Sequence, residues 1–123
     1  MIGIIVSEFN NFITDKLLES CIAELEFEYE VVKVPGAFEI PLVCKKLASK
    51  YDGFIALGCL IKGETDHYDA VCRACVDGLM QVQLETGKPI VFEVLMVHKM
   101  EDALARVDKG KVAAQTISKI LKK

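Results

Sequence analysis

The segment Gly63-Glu64-Thr65-Asp66-His67 joins a proton-transfer side chain to a helix start. Thr65 suits the N-cap of the helix that follows, and free backbone N–H groups at a helix start bind phosphate without help from side chains. Glu64 and Asp66 oppose a dianion there unless they point away, so an ordinary capped helix start stands beside the phosphate site as the simpler alternative. His67 lies off the apolar stripe formed by Tyr68, Val71, Cys72, Cys75, Leu79 and Val82, which argues against a core histidine. With an ordinary pKa of about 6.5, histidine gives and takes protons at neutral pH. Proton transfer and plain solvent exposure both remain open for it.

Phe9 and Phe38 follow two apolar strand-like runs. Core packing is the usual fate of phenylalanine, but two of them at adjacent strand ends would also make a stacking platform for an aromatic ring. Glu39 precedes Ile40-Pro41, where its carboxylate serves a helix dipole or accepts ligand hydroxyls. Arg106 ends a helical pattern near Asp108, and a surface ion pair accounts for it; His98, without a partner in sequence, defaults to the surface. Cys72-Arg73-Ala74-Cys75 is a CxxC, yet it lies two turns inside a helix on its apolar face, not at the helix N-terminus that activates thioredoxin-like thiols. No second pair completes the four ligands of a structural zinc, so both cysteines read as core. Dinucleotide, P-loop and hydrolase glycine motifs are missing.

The elements that must position these residues alternate along the chain. Ile2 to Val6, Tyr29 to Val34, Gly53 to Leu57 and Ile90 to Leu95 read as strands. Helical patterns stand between them: Ile13 to Leu25 with Thr14 and Asp15 in the first turn, Ile40 to Leu47 with Pro41 in the first turn, and the stripe from Tyr68 to Val82. Two more, Met100 to Val107 and Ala113 to Leu121, follow the last strand. Nearly continuous apolar strands linked by helices predict an α/β fold, a flavodoxin-like three-layer α/β/α sandwich around a four-stranded parallel sheet. Such sheets bind ligands beyond the carboxyl ends of their strands. Ser7 to Asn10, Val34 to Glu39, Gly58 to His67 and Met96 to Lys99 would share that edge, a pocket for a flat, polar, partly anionic molecule.

The 123 residues are expected to form one domain, with 52% hydrophobic and 27% charged side chains. A chain of this size buries about two-thirds of its unfolded surface and needs no disulfide or metal to fold. Fifteen Lys and Arg against eighteen Asp and Glu give a net charge of −3, which disfavours nucleic acid and anionic membranes as partners. No apolar run approaches the roughly 18 residues of a membrane span. Five cysteines without a secretion signal point to reduced thiols in the cytoplasm.

The strand-end segments together carry a pattern. Ser7-Glu8-Phe9-Asn10-Asn11-Phe12-Ile13-Thr14, Val34-Pro35-Gly36-Ala37-Phe38-Glu39-Ile40-Pro41-Leu42 and Ala56-Leu57-Gly58-Cys59-Leu60-Ile61-Lys62-Gly63-Glu64-Thr65-Asp66-His67-Tyr68-Asp69 resemble the lumazine synthase family. Gln83 to Phe92 and Ala105-Arg106 continue the likeness in register. The resemblance implies a riboflavin-biosynthesis enzyme that condenses 5-amino-6-(D-ribitylamino)uracil with 3,4-dihydroxy-2-butanone 4-phosphate, without cofactor or metal. By that resemblance Phe9 stacks on the pyrimidine, Ala37, Phe38 and Glu39 hold the ring and ribityl chain, and Cys59, Leu60 and Ile61 address the pyrimidine through backbone groups. Glu64 and Thr65 amides with the Arg106 guanidinium hold the phosphate, His67 moves protons, and Phe92 approaches from a neighbouring subunit. The family works as homo-oligomers, either pentamers or sixty-subunit shells of twelve pentamers, with sites between subunits. This chain departs from the pattern at Glu93, where the family has glycine, at Met96-Val97-His98, and in a shortened loop after Arg106, where Lys111 would replace a phosphate-side lysine. A non-catalytic flavin- or pyrimidine-binding module is the alternative, and a thiol-redox or metal protein at Cys72 and Cys75 a third.

Overall fold

The computed structural model describes residues 1–123. Strands β1 (Ile2–Ser7), β2 (Tyr29–Val34), β3 (Gly53–Ile61) and β4 (Ile90–Val97) alternate with helices α1 (Asn11–Glu24), α2 (Ile40–Lys46) and α3 (His67–Thr86). Two further helices, α4 (Met100–Leu104) and α5 (Lys109–Leu121), follow β4, and a short 3₁₀ turn at Ala37–Glu39 precedes α2. Every strand pairing is parallel and the sheet order is β2-β1-β3-β4. This is the expected α/β architecture. The chain leaves β1 towards one edge, then crosses back to build the other, so a crevice opens between the carboxyl ends of β1 and β3.

The alternation of side chains along each strand divides the core into two layers. Ile2, Ile4, Val6, Ile55 and Leu57 face α1 and α5 and meet Ile13, Leu17 and Ile117. Ile5, Phe54 and Ala56 face α2 and α3 and meet Ile40, Cys44, Val71, Cys75 and Leu79. The large aliphatic side chains and Phe54 among them that are fully withdrawn from water contribute about 1.5–3 kcal/mol each. β2 is an edge strand, and of its six residues only Val34 is buried, so the two-sided cover inferred from its apolar run fails there.

β3 continues to Ile61, beyond the Leu57 at which the sequence reading ends it. The cause is long-range: β1 pairing stops at Val6 opposite Leu57, but β4 keeps pairing as far as Val97 opposite Ile61. Gly58 is read in the sequence as a loop opener. In the structure it is a close-approach glycine, because a Cβ there would stand 2.9 Å from the Ser7 hydroxyl and 3.2 Å from Val94.

On β4, at the opposite edge, Glu93 is half-buried between Val91 and Leu95 on the face that meets α5. Burial raises its pKa, offset in part by Lys109. The folded state therefore penalises the ionised form above the raised value, and the penalty vanishes below the ordinary carboxylate range. Glu93→Gln should raise Tm by about 1–3 °C at pH 7.5, and the gain should disappear towards pH 4. A difference that stays constant across that range would trace to packing, not to charge.

Candidate active site

Three loops and the first turn of α3 surround one cavity of about 630 Å³ at the crevice. After β1, the Glu8 amide donates to the Val34 carbonyl at 2.8 Å and the Phe9 amide to Pro35 at 3.1 Å, fastening this loop to the end of β2. Phe9 is left 69% exposed and Phe38 62% exposed, so neither has the core fate usual for phenylalanine; both line the cavity. Ala37 is buried in the wall beneath them, and Glu39 stands half-buried at the start of α2. Glu39 makes no side-chain cap to α2, and none of the side-chain hydrogen bonds or ion pairs in the chain engages its carboxylate. It is placed to accept hydroxyl hydrogen bonds.

The far wall is the end of β3, Cys59, Leu60 and Ile61. Burial pushes the Cys59 thiol up to about 11, so it stays protonated and unreactive at neutral pH. The other buried thiols behave alike: burial raises Cys75 to about 11 and Cys44 to about 12. Burial raises the Cys72 thiol as well, so none of these is an activated thiol, but the core reading of the CxxC holds for Cys75 alone, since Cys72 is only half-buried and belongs to neither core layer.

Between β3 and α3 the amides of Gly63, Glu64, Thr65 and Asp66 meet no backbone carbonyl. The helix itself begins at His67 with Asp66 at the cap, one residue later than the Thr65 cap expected from sequence. Thr65 still serves the helix start, since its hydroxyl accepts the His67 amide at 3.3 Å. Thr65 and His67 line the cavity; Glu64 lies beside it and contributes no lining. The His67 ring is exposed and engaged by no side chain of the chain. Unpartnered amides, two exposed phenylalanines and a free carboxylate around one cavity suit a ligand with an anionic group and a planar polar ring.

The whole chain, residues 1–123, matches the family model described as 6,7-dimethyl-8-ribityllumazine synthase. The chain belongs to the 6,7-dimethyl-8-ribityllumazine synthase family. It is also 47% identical over 112 residues to a 6,7-dimethyl-8-ribityllumazine synthase of Desulfotalea psychrophila, an alignment covering 85% of this chain and 72% of that relative.

Not every residue that the likeness to lumazine synthases singles out comes to the cavity. Phe92, Arg106 and Lys111 do not line it. Phe92 is 39% exposed on the edge strand β4. Arg106 lies past α4, where its guanidinium donates to the Asp102 carbonyl at 2.8 Å and no ion pair to Asp108 forms. Lys111 is exposed on α5.

One aromatic cavity residue departs from its expected place in the core, and it brings His98 with it. Tyr68, assigned to the core stripe of α3, lines the cavity, and burial raises its hydroxyl to about 12. Its ring takes the edge-on contact of His98, centroids 6.3 Å apart and planes at 79°, so the second histidine stands beside the site although exposed. Both follow from one topological fact legible in the sequence: the ends of β3 and β4 lie side by side. No helix is long and apolar enough to cross a membrane.

Proposed function

We propose that this cavity is the active site of the lumazine synthase reaction of riboflavin biosynthesis. The chain condenses 5-amino-6-(D-ribitylamino)uracil with 3,4-dihydroxy-2-butanone 4-phosphate to 6,7-dimethyl-8-ribityllumazine, phosphate and water. The observation that carries the proposal is the placement of Phe9, Phe38, Glu39 and His67 around one cavity that ends in unpartnered backbone amides. Phe9 stacks on the pyrimidine, with Ala37 and Phe38 beside it, and Glu39 accepts the ribityl hydroxyls. Backbone groups of Cys59, Leu60 and Ile61 read the ring edge. The amides of Glu64 and Thr65 take the phosphate, and their side chains are not needed for it.

The reaction asks for proton transfers and no strong nucleophile. The substrate amine adds to the ketone and loses water to form an imine; phosphate is then eliminated, the enol tautomerises, and ring closure expels a second water. His67 lines the cavity two residues beyond Thr65, and it takes the proton lost at elimination and returns it at tautomerisation. Holding the two substrates together supplies much of the rate, since well-oriented pairs gain up to about 7–11 kcal/mol over free encounter. A module that only bound a flavin or pyrimidine would have no use for a histidine at this point.

The enzyme acts as a homo-oligomer in the cytoplasm. Val76, Met80 and Leu84 expose an apolar stripe along α3, continued by Leu42 on α2, and Leu84 is 76% exposed; a second copy would cover it. Phe92, Arg106 and Lys111, remote from the cavity of their own chain, then complete the site of a neighbour, Arg106 with a bidentate grip on phosphate. Arg106→Ala should raise KM for the butanone phosphate about tenfold and leave that for the pyrimidine within about twofold. If both rise equally, Arg106 is structural. An active monomer in sedimentation would rule out the shared site.

The test of the function mixes purified protein with both substrates, following lumazine by absorbance and phosphate by release. Equal amounts of the two, formed well above the uncatalysed rate, are expected. Binding of the ribitylaminouracil without acceleration would leave a carrier on this fold.

A further inference from the structure

We propose that Asn10 is a positioning residue for the pyrimidine half of the site, holding Phe9 and the Cys59–Ile61 wall in mutual register; the proposal rests on the function above. Asn10 is the one non-glycine residue in the left-handed region, at φ 62° and ψ 43°. Asparagine tolerates this conformation better than most residues, and it is also among the best helix N-caps. Yet its side chain makes no capping hydrogen bond to α1. Instead Nδ2 donates to the Cys59 carbonyl at 2.8 Å, across 49 positions of sequence. The side chain forgoes a local bond for one that crosses the crevice.

The Cys59 carbonyl needs such a partner. β1 stops pairing with β3 at Leu57, so beyond that point the flank of β3 that faced β1 has no strand beside it. Its other flank stays paired with β4 through Ile61. Asn10 replaces the missing strand with one hydrogen bond. The loop it belongs to is already tied to the end of β2 through the Glu8 and Phe9 amides. Phe9 therefore sits in a segment fastened on both sides, between the two strand ends that flank the crevice. The phosphate end, at Gly63 to Thr65, has no bond to Asn10. The consequence is a split: loss of the Asn10 bond loosens the pyrimidine subsite and spares the phosphate subsite.

Two variants separate this from a general structural role. Asn10→Asp keeps the shape and the left-handed preference, but its carboxylate cannot donate to a carbonyl. Asn10→Gly keeps the backbone conformation and removes the side chain. Both should raise KM for the ribitylaminouracil about tenfold, leave KM for the butanone phosphate within about twofold, and shift Tm by only a few degrees. A KM for the pyrimidine like that of the parent enzyme, or an equal rise for both substrates, would overturn the assignment. Failure of the parent enzyme to form lumazine would instead count against the proposed function. Direct titration with ribitylaminouracil would then still read Asn10, as a tenfold weaker Kd in both variants or none.

Discussion

His67→Ala should slow turnover by about 10- to 1000-fold while the protein remains as stable as its parent, as expected for loss of a general acid–base group with binding intact. The structure makes the variant clean. His67 is the first residue of α3 and is exposed, so the change opens no cavity. Its backbone amide donates to the Thr65 hydroxyl, a bond that alanine preserves, and alanine is at least as good a helix former. Both KM values should move little, because Phe9, Glu39 and the loop amides still hold the substrates. The residual rate measures what positioning alone provides. Single-turnover phosphate release would show whether elimination is the slowed step. Turnover equal to that of the parent would remove His67 from the mechanism and turn attention to Tyr68 and His98, the pair in contact beside it.

The side of the site built from strand ends was legible in the sequence because it depends only on topology. Once four strands run parallel, residues just beyond each of them must gather at one edge, and Phe9, Phe38, Glu39 and His67 do so. What failed were features decided by partners distant in sequence. β3 outruns Leu57 because β4 pairs with it through Val97, which no local pattern around Gly58 announces. Residue type places Thr65 at the cap, whereas the helix starts one residue later and uses its hydroxyl from outside. Tyr68 obeys the helical period yet lies in the turn that overhangs the crevice, so periodicity alone assigns it to the core. Asn10 reads as one more polar loop residue until its amide is seen to reach Cys59. Phe92, Arg106 and Lys111 rest on family likeness alone, and within one chain they stay apart from the cavity.

Gly110→Ala should be the most destabilising single-methyl change in the chain. Helix propensity argues the other way, since alanine is about 1 kcal/mol better than glycine inside a helix such as α5. Packing decides against it. A Cβ at Gly110 would fall on the Leu17 carbonyl oxygen and the Ser20 hydroxyl, and within 2.9 Å of the Cys21 amide nitrogen. The obstacle is largely α1 backbone, which cannot swing aside as a side-chain tip does. Ser20 also donates to the Val107 carbonyl at 2.8 Å and so clamps α1 to the turn that leads into α5. Below Gly110 the same close approach is kept by the small, buried Ala113 and Ala114, which let Leu17, Cys21 and Ile117 share one core. An added methyl must pry α5 from α1, and forced overpacking of this kind costs about 3 kcal/mol or more. For a domain of this length that corresponds to a Tm lowered by roughly 10–15 °C. The turn holding Arg106 would shift with α5, so KM for the butanone phosphate should rise in the surviving folded enzyme. A Tm raised by the substitution, as propensity alone would have it, would mean that α1 and α5 stand further apart than the structure places them.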